Sequence, residues 1–150
     1  MQFWDRHKAI MRYYELLTDE VCNKFGLTQM EYDILMFLFN NPQYNTAADI
    51  VKVRKSAKSH VSTSLKCLEK KGLIVRKQNK ENKKTVEIFL LDTANAVVKE
   101  GLCIQRRFRQ NLFRGFSEDE IILCKTMFEK ICSNAEGCIS TKRNGDEPSV

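Results

Sequence analysis

Apolar residues recur along the chain at helical spacing, broken by clear stop signals. From Trp4 to Phe25, Ile10, Tyr14, Leu17, Val21 and Phe25 follow at steps of three and four, the period of one helix face. Gly26 ends that run. Thr28-Gln-Met-Glu31 then has the spacing of a capping box, in which the Thr hydroxyl and the Glu side chain satisfy each other's open backbone donors. Leu27 and Tyr32 fall where a hydrophobic staple would pack across the turn. The second helix carries Ile34, Leu35 and Leu38 and stops at Asn40-Asn41-Pro42. Thr46, with Asp49 three residues on, caps a short third helix reaching about Val53. After a break at Arg54-Lys55, Ser56 caps a fourth helix that ends at Gly72 and turns Val61, Leu65 and Leu68 inward.

The period then changes. Leu73 to Lys77 is short and β-prone, and from Thr85 to Leu91 the residues Val86, Ile88 and Leu90 alternate with Glu87, Phe89 and Leu91. Asn79 to Lys84 joins the two strands as a polar, basic hairpin tip. A long helix follows from Thr93 to about Arg114, striped by Val97, Ile104, Phe108 and Leu112. Gly101 falls on that stripe, where a missing side chain lets another helix approach. Ser117-Glu-Asp-Glu120 is a further capping box, stapled by Phe116 and Ile121, and the last helix carries Ile121, Cys124, Phe128 and Ile131. Beyond Glu136 the composition turns polar and a loose tail is expected. The predicted fold is mainly α with a small β-hairpin: a winged helix-turn-helix core with flanking helices.

At 150 residues the chain fits one domain. Its longest apolar run, Ile34 to Phe39, is too short to cross a bilayer, and its first residues hold no apolar signal core. A soluble, cytoplasmic protein without a membrane partner is expected. The formal net charge of +6 is unevenly placed. Between Lys52 and Lys84 lie twelve basic residues opposed only by Glu69 and Glu81, so that third carries +10 and the remainder −4. Such a split marks either a polyanion-binding element or a solvated basic face. Six cysteines show no Cys-x-x-Cys spacing, and His7 and His60 are the only histidines, so no metal site and no cofactor are expected. With neither a Gly-rich phosphate loop nor a Ser-His-Asp order, the chain does not read as an enzyme.

A helix about 10–12 Å across fits the major groove of DNA. At about 100° per residue from inward Val61, Ser62 falls near 100°, Lys66 near 140°, Ser59 near 160° and Thr63 near 200°. These small or cationic hydrogen-bonding side chains suit base edges and phosphates, and Lys58 and His60 flank them. No acidic residue stands between Lys52 and Leu68. Lys80, Lys83 and Lys84 at the hairpin tip suit phosphate or the minor groove. The amphipathic helices at both ends offer more apolar face than a compact winged helix-turn-helix covers, which predicts a homodimer with recognition helices about 34 Å apart on a pseudo-palindromic operator. On this reading 26–92 is the DNA-binding lobe, 1–25 and 93–135 the dimerisation region, and 136–150 the tail. The alternative is a winged-helix interaction module whose basic face meets an acidic protein.

Leu27-Thr28-x-x-Glu31-Tyr32, Ala48-Asp49-Ile50-Val51, Lys58-Ser-His-Val-Ser62 and Leu68-Glu-Lys-Lys-Gly-Leu-Ile74, in that order and spacing, resemble the multiple-antibiotic-resistance regulator (MarR) family. The resemblance is tightest from Leu27 to about Leu91. It implies a bacterial, homodimeric, double-stranded-DNA-binding transcriptional repressor whose affinity is relieved by a small-molecule effector or by oxidation. The family's wing carries an Asp-x-Arg signature; here the stretch is Asn82-Lys83-Lys84, which keeps charge but loses the planar donor fork of arginine. The family's ligand position falls near Tyr13, Tyr14 and Phe39. For thiol sensing, Cys22 near the end of the first helix and Cys138 in the tail are the candidates. Neither stands where the sensing cysteine of the family's peroxide-responsive members lies, earlier in the first helix.

Overall fold

The computed structural model describes residues 5–143 and 145. The chain forms two compact units, one through Phe108 and one from Arg109. The first holds α1 (His7–Phe25), α2 (Gln29–Asn40), α3 (Ala47–Arg54), α4 (Lys58–Lys70), β1 (Ile74–Gln78), β2 (Val86–Leu90) and most of α5 (Asn95–Leu112). The second holds the end of α5 and α6 (Glu118–Arg143). The mainly helical fold with one hairpin is as the periodicity predicts; Trp4, the expected start of the first helix, lies outside the described residues.

The start and stop signals act as local chemistry with two exceptions. Thr46 and Asp49 form a complete capping box on α3, and Gly26 closes α1 in the left-handed conformation, φ 62°. The Thr28 hydroxyl accepts from the Glu31 amide at 3.2 Å, but the Glu31 carboxylate does not return the bond. It is buried and turned to the Lys71 ammonium, so only half of that box forms. Ser56 does not cap α4 either. Ala57 occupies that position without a side-chain acceptor.

The first unit's core gathers Tyr32, Ile34 and Leu35 from α2, Ile50 from α3, Val61, Leu65 and Leu68 from α4, Ile74 and Ile88 from the hairpin, and Val97 from α5. Each of these side chains leaves water almost completely, worth about 1.5–3 kcal/mol apiece by transfer. The strands pair antiparallel with Ile74 opposite Leu90 and Gln78 opposite Val86. Ile88 N–H also donates to the Asn45 carbonyl at 2.7 Å, which pins the hairpin to the loop before α3. A 3-10 turn, Asp92–Ala94, leads into α5.

Gly101 behaves as its place on the α5 stripe predicts. A Cβ there would meet the Met36 thioether and, at 3.1 Å, the Tyr32 hydroxyl. A Gly101→Leu substitution is therefore expected to lower stability by about 1–3 kcal/mol despite its better helix propensity. Urea unfolding checks this.

In the second unit Phe116 packs edge-on to Phe113, with ring centroids 5.6 Å apart, and remains half exposed. Ser117 and Glu120 do form the expected capping box, with bonds of 2.7 and 3.2 Å. The loose tail expected from 136 onward is not observed as such, because α6 continues to Arg143. Within it the Ser140 and Thr141 hydroxyls donate back to carbonyls four residues earlier. Residues 144 and 146–150 lie outside the described set. Of the α6 stripe only Ile121 is buried; Cys124, Phe128 and Ile131 are exposed.

Candidate nucleic-acid interface

The geometry of α4 follows from its inner face. Val61, Ser64, Leu65 and Leu68 are buried against the core, which rotates Lys58, Ser59, His60, Ser62, Thr63 and Lys66 into solvent. All six predicted groove residues thus lie on the exposed side of one helix. The first turn of α4 has no side-chain cap and no acidic residue. Its amide donors and the positive end of the helix dipole face outward beside Lys58, an arrangement that favours an anion.

Before α4 the chain turns sharply. Lys55 adopts a left-handed conformation, φ 53°, and the Lys55 and Ser56 amides both donate to the Val51 carbonyl. A non-glycine residue there is held by its surroundings against an unfavourable backbone. The preceding Arg54 donates to the Asp33 carboxylate at 3.0 Å. Asp33 also accepts from Tyr14 at 3.1 Å and from Gln29 at 2.9 Å. Burial and the facing Asp33 carboxylate raise the pKa of the Tyr14 phenol, keeping it a donor. Burial, then Asp33, pushes Tyr32 up to about 12.

The hairpin tip is ordered by asparagines. The Asn79 side-chain carbonyl accepts from the Glu81 and Asn82 amides at 2.8 and 3.0 Å, and that of Asn82 accepts from Lys84 N–H at 3.2 Å. These Asx bonds fold the tip locally and leave Lys80, Lys83 and Lys84 exposed.

Counting charge along the sequence overstates the basic surface. Arg54 is paired with Asp33, and Lys71 with buried Glu31 and the Gly26 carbonyl. Arg76 grips Glu69 through Nε and a terminal nitrogen; that bond and the charge beside it lower the Glu69 pKa and raise that of Arg76. Three of the twelve cations thus stitch elements together, and sequence spacing alone carries no sign of these partners.

The candidate effector residues have these surroundings. Tyr13 stacks on Phe108 at 5.7 Å and Tyr14 meets the same ring edge-on at 5.4 Å. Phe39 lines a cleft of about 280 Å³ with Pro42, Ile88 and Phe89. Cys22 is not the accessible thiol that its place near a helix end suggests. It is buried, and burial followed by nearby carboxylates pushes its thiol up to about 11, the reverse of a reactive cysteine. Cys138 is exposed, though on α6 rather than in a tail. Alkylation with iodoacetamide at pH 8 is expected to modify Cys103, Cys124 and Cys138 well before Cys22, as read by mass spectrometry. No group of three or more potential metal ligands occurs among the described residues, and no described helix is long and apolar enough to cross a membrane.

A short helix, a tight turn, an exposed polar helix and a basic hairpin together make a winged helix-turn-helix. Residues 27–86 match the model of the MarR family. The whole chain is similar in fold to a MarR family transcriptional regulator from Listeria monocytogenes solved with 26mer DNA: TM-score 0.85, 22% identity, covering 100% of this chain and 99% of that one. A SlyA-like transcription regulator from the same organism matches at TM-score 0.82, 22% identity and the same coverage. The S. aureus MepR–DNA complex matches at TM-score 0.78 and 24% identity, over 89% of this chain and 96% of that one.

Proposed function

We propose that the chain is a sequence-specific, double-stranded-DNA-binding transcription regulator that acts as a homodimeric repressor. The observation that carries this reading is the exposed face of α4, where Lys58, Ser59, His60, Ser62, Thr63 and Lys66 share one side of a helix whose other side is buried. Two proteins of similar fold were solved with DNA, which supports the reading. Lys58 and Lys66 contact phosphate, Ser62 and Thr63 meet base edges, and Lys80, Lys83 and Lys84 follow the neighbouring groove. Residues 26–92 act as the DNA-binding lobe, with the flanking helices pairing two copies. The exposed apolar residues Ile10, Met11 and Leu16 of α1, and Ile122, Leu123, Met127 and Phe128 of α6, support that pairing. The effector reading narrows to a small ligand near Tyr13 and Tyr14, and no catalytic step is assigned.

Ser62→Ala and Thr63→Ala are expected to change which operator is preferred, at about 1–3 kcal/mol per lost base contact, while leaving affinity for random duplex nearly unchanged. Competition binding against a labelled duplex tests the function itself. Duplex DNA is expected to compete far better than polyglutamate of equal charge. Equal competition would instead favour the interaction module that meets an acidic protein.

A further inference from the structure

The polar cluster beneath the α3–α4 turn links more elements than packing requires. The Asp33 carboxylate of α2 uses one oxygen, Oδ1, for Tyr14 of α1 at 3.1 Å and for Gln29 at 2.9 Å. The other, Oδ2, takes Arg54 of α3 at 3.0 Å. Gln29 is itself held from α1, since the Thr18 hydroxyl donates to its carbonyl at 2.6 Å. Tyr14 in turn packs on the Phe108 ring of α5. Arg54 is the last residue of α3; Lys55 with its positive φ follows, and α4 begins three residues later.

We propose that Asp33 is a positioning residue for DNA recognition, because its carboxylate ties Tyr14 of α1 to Arg54 of α3 and so sets the turn from which α4 emerges. This rests on the DNA-binding reading above. The physical reason is the sharing of one rigid, planar group. A carboxylate that tilts to follow Tyr14 on one oxygen must move the other oxygen against Arg54. Asp33 lies within α2, and its side chain is only 14% exposed. Its effect passes through Arg54 to the left-handed turn, whose geometry fixes the direction of the α4 axis. The aromatic junction of Tyr13, Tyr14 and Phe108 is thereby mechanically joined to the recognition helix, and anything that displaces Tyr14 alters DNA affinity without touching the interface.

Tyr14→Phe, Arg54→Gln and the double variant of the full chain test this. Tyr14→Phe removes one hydroxyl and keeps the ring on Phe108, so the fold survives. Each single variant is expected to weaken duplex binding about 10-fold, and the double about 10-fold rather than the 100-fold of independent sites. Amide exchange in residues 55–60 of Tyr14→Phe is expected to quicken, although the lost hydroxyl belongs to another helix. Multiplicative losses in the double variant, or exchange at 55–60 as slow as in the unaltered chain, overturn the proposal. The exchange arm needs no DNA, so failure of the unaltered chain to bind any duplex counts against the DNA-binding reading and leaves the linkage to be decided by exchange alone.

Discussion

Replacing Lys58 and Lys66 together by alanine is expected to weaken duplex binding about 100-fold at 50 mM salt and about 8-fold at 200 mM. Both side chains are exposed on α4, and Lys58 stands at its uncapped first turn. If each neutralises one phosphate, removing both lowers the slope of log K against log salt by about 1.8, since each released counterion contributes about 0.9. The loss should be the same for operator and random duplex, because phosphate carries no sequence information. Fluorescence anisotropy over a salt series reads both quantities. An unchanged slope would mean that α4 does not face the backbone, whatever the affinity does.

The largest expected effect on stability comes from Lys71→Ala. Glu31 is buried to 4% side-chain exposure at the start of α2, and Lys71, just past α4, is its ion-pair partner while also donating to the Gly26 carbonyl at 2.7 Å. Removing the ammonium leaves a carboxylate in the interior with its charge uncompensated. Losses of about 3–5 kcal/mol are typical of such half-pairs, and with Lys71 37% exposed the low end, about 3 kcal/mol, is expected here. Glu31→Gln with Lys71→Met removes both charges and should recover much of that loss, because no buried charge is then left unpaired. Chemical denaturation of the two variants checks this.

Much of the architecture was legible because it is written in local chemistry. Thr46 with Asp49 and Ser117 with Glu120 form their boxes, and the alternation from Val86 to Leu90 makes a strand. The exposed side of α4 follows from period alone once Val61, Leu65 and Leu68 are placed inward. What sequence reading missed is long-range pairing. Glu31 has the spacing of a capping residue, but a cation 40 positions away takes it, and Arg54, Lys71 and Arg76 count as surface charge until their partners are seen. The same blindness affected Cys22. Its place near a helix end suggested access, while the packing of Leu27, Tyr32 and Val21 in the same core determined burial. The tail failed for a different reason: polar composition argues against a packed core but not against a helix, and α6 runs through it.

The decisive measurement is selection of bound molecules from a random-sequence duplex library at about 150 mM salt. Recovery of a pseudo-palindrome with half-sites about 10 base pairs apart is expected for two copies presenting α4 to successive major grooves. Binding that yields no motif and vanishes as salt rises would contradict a sequence-specific regulator and reduce the basic segment to a non-specific polyanion surface.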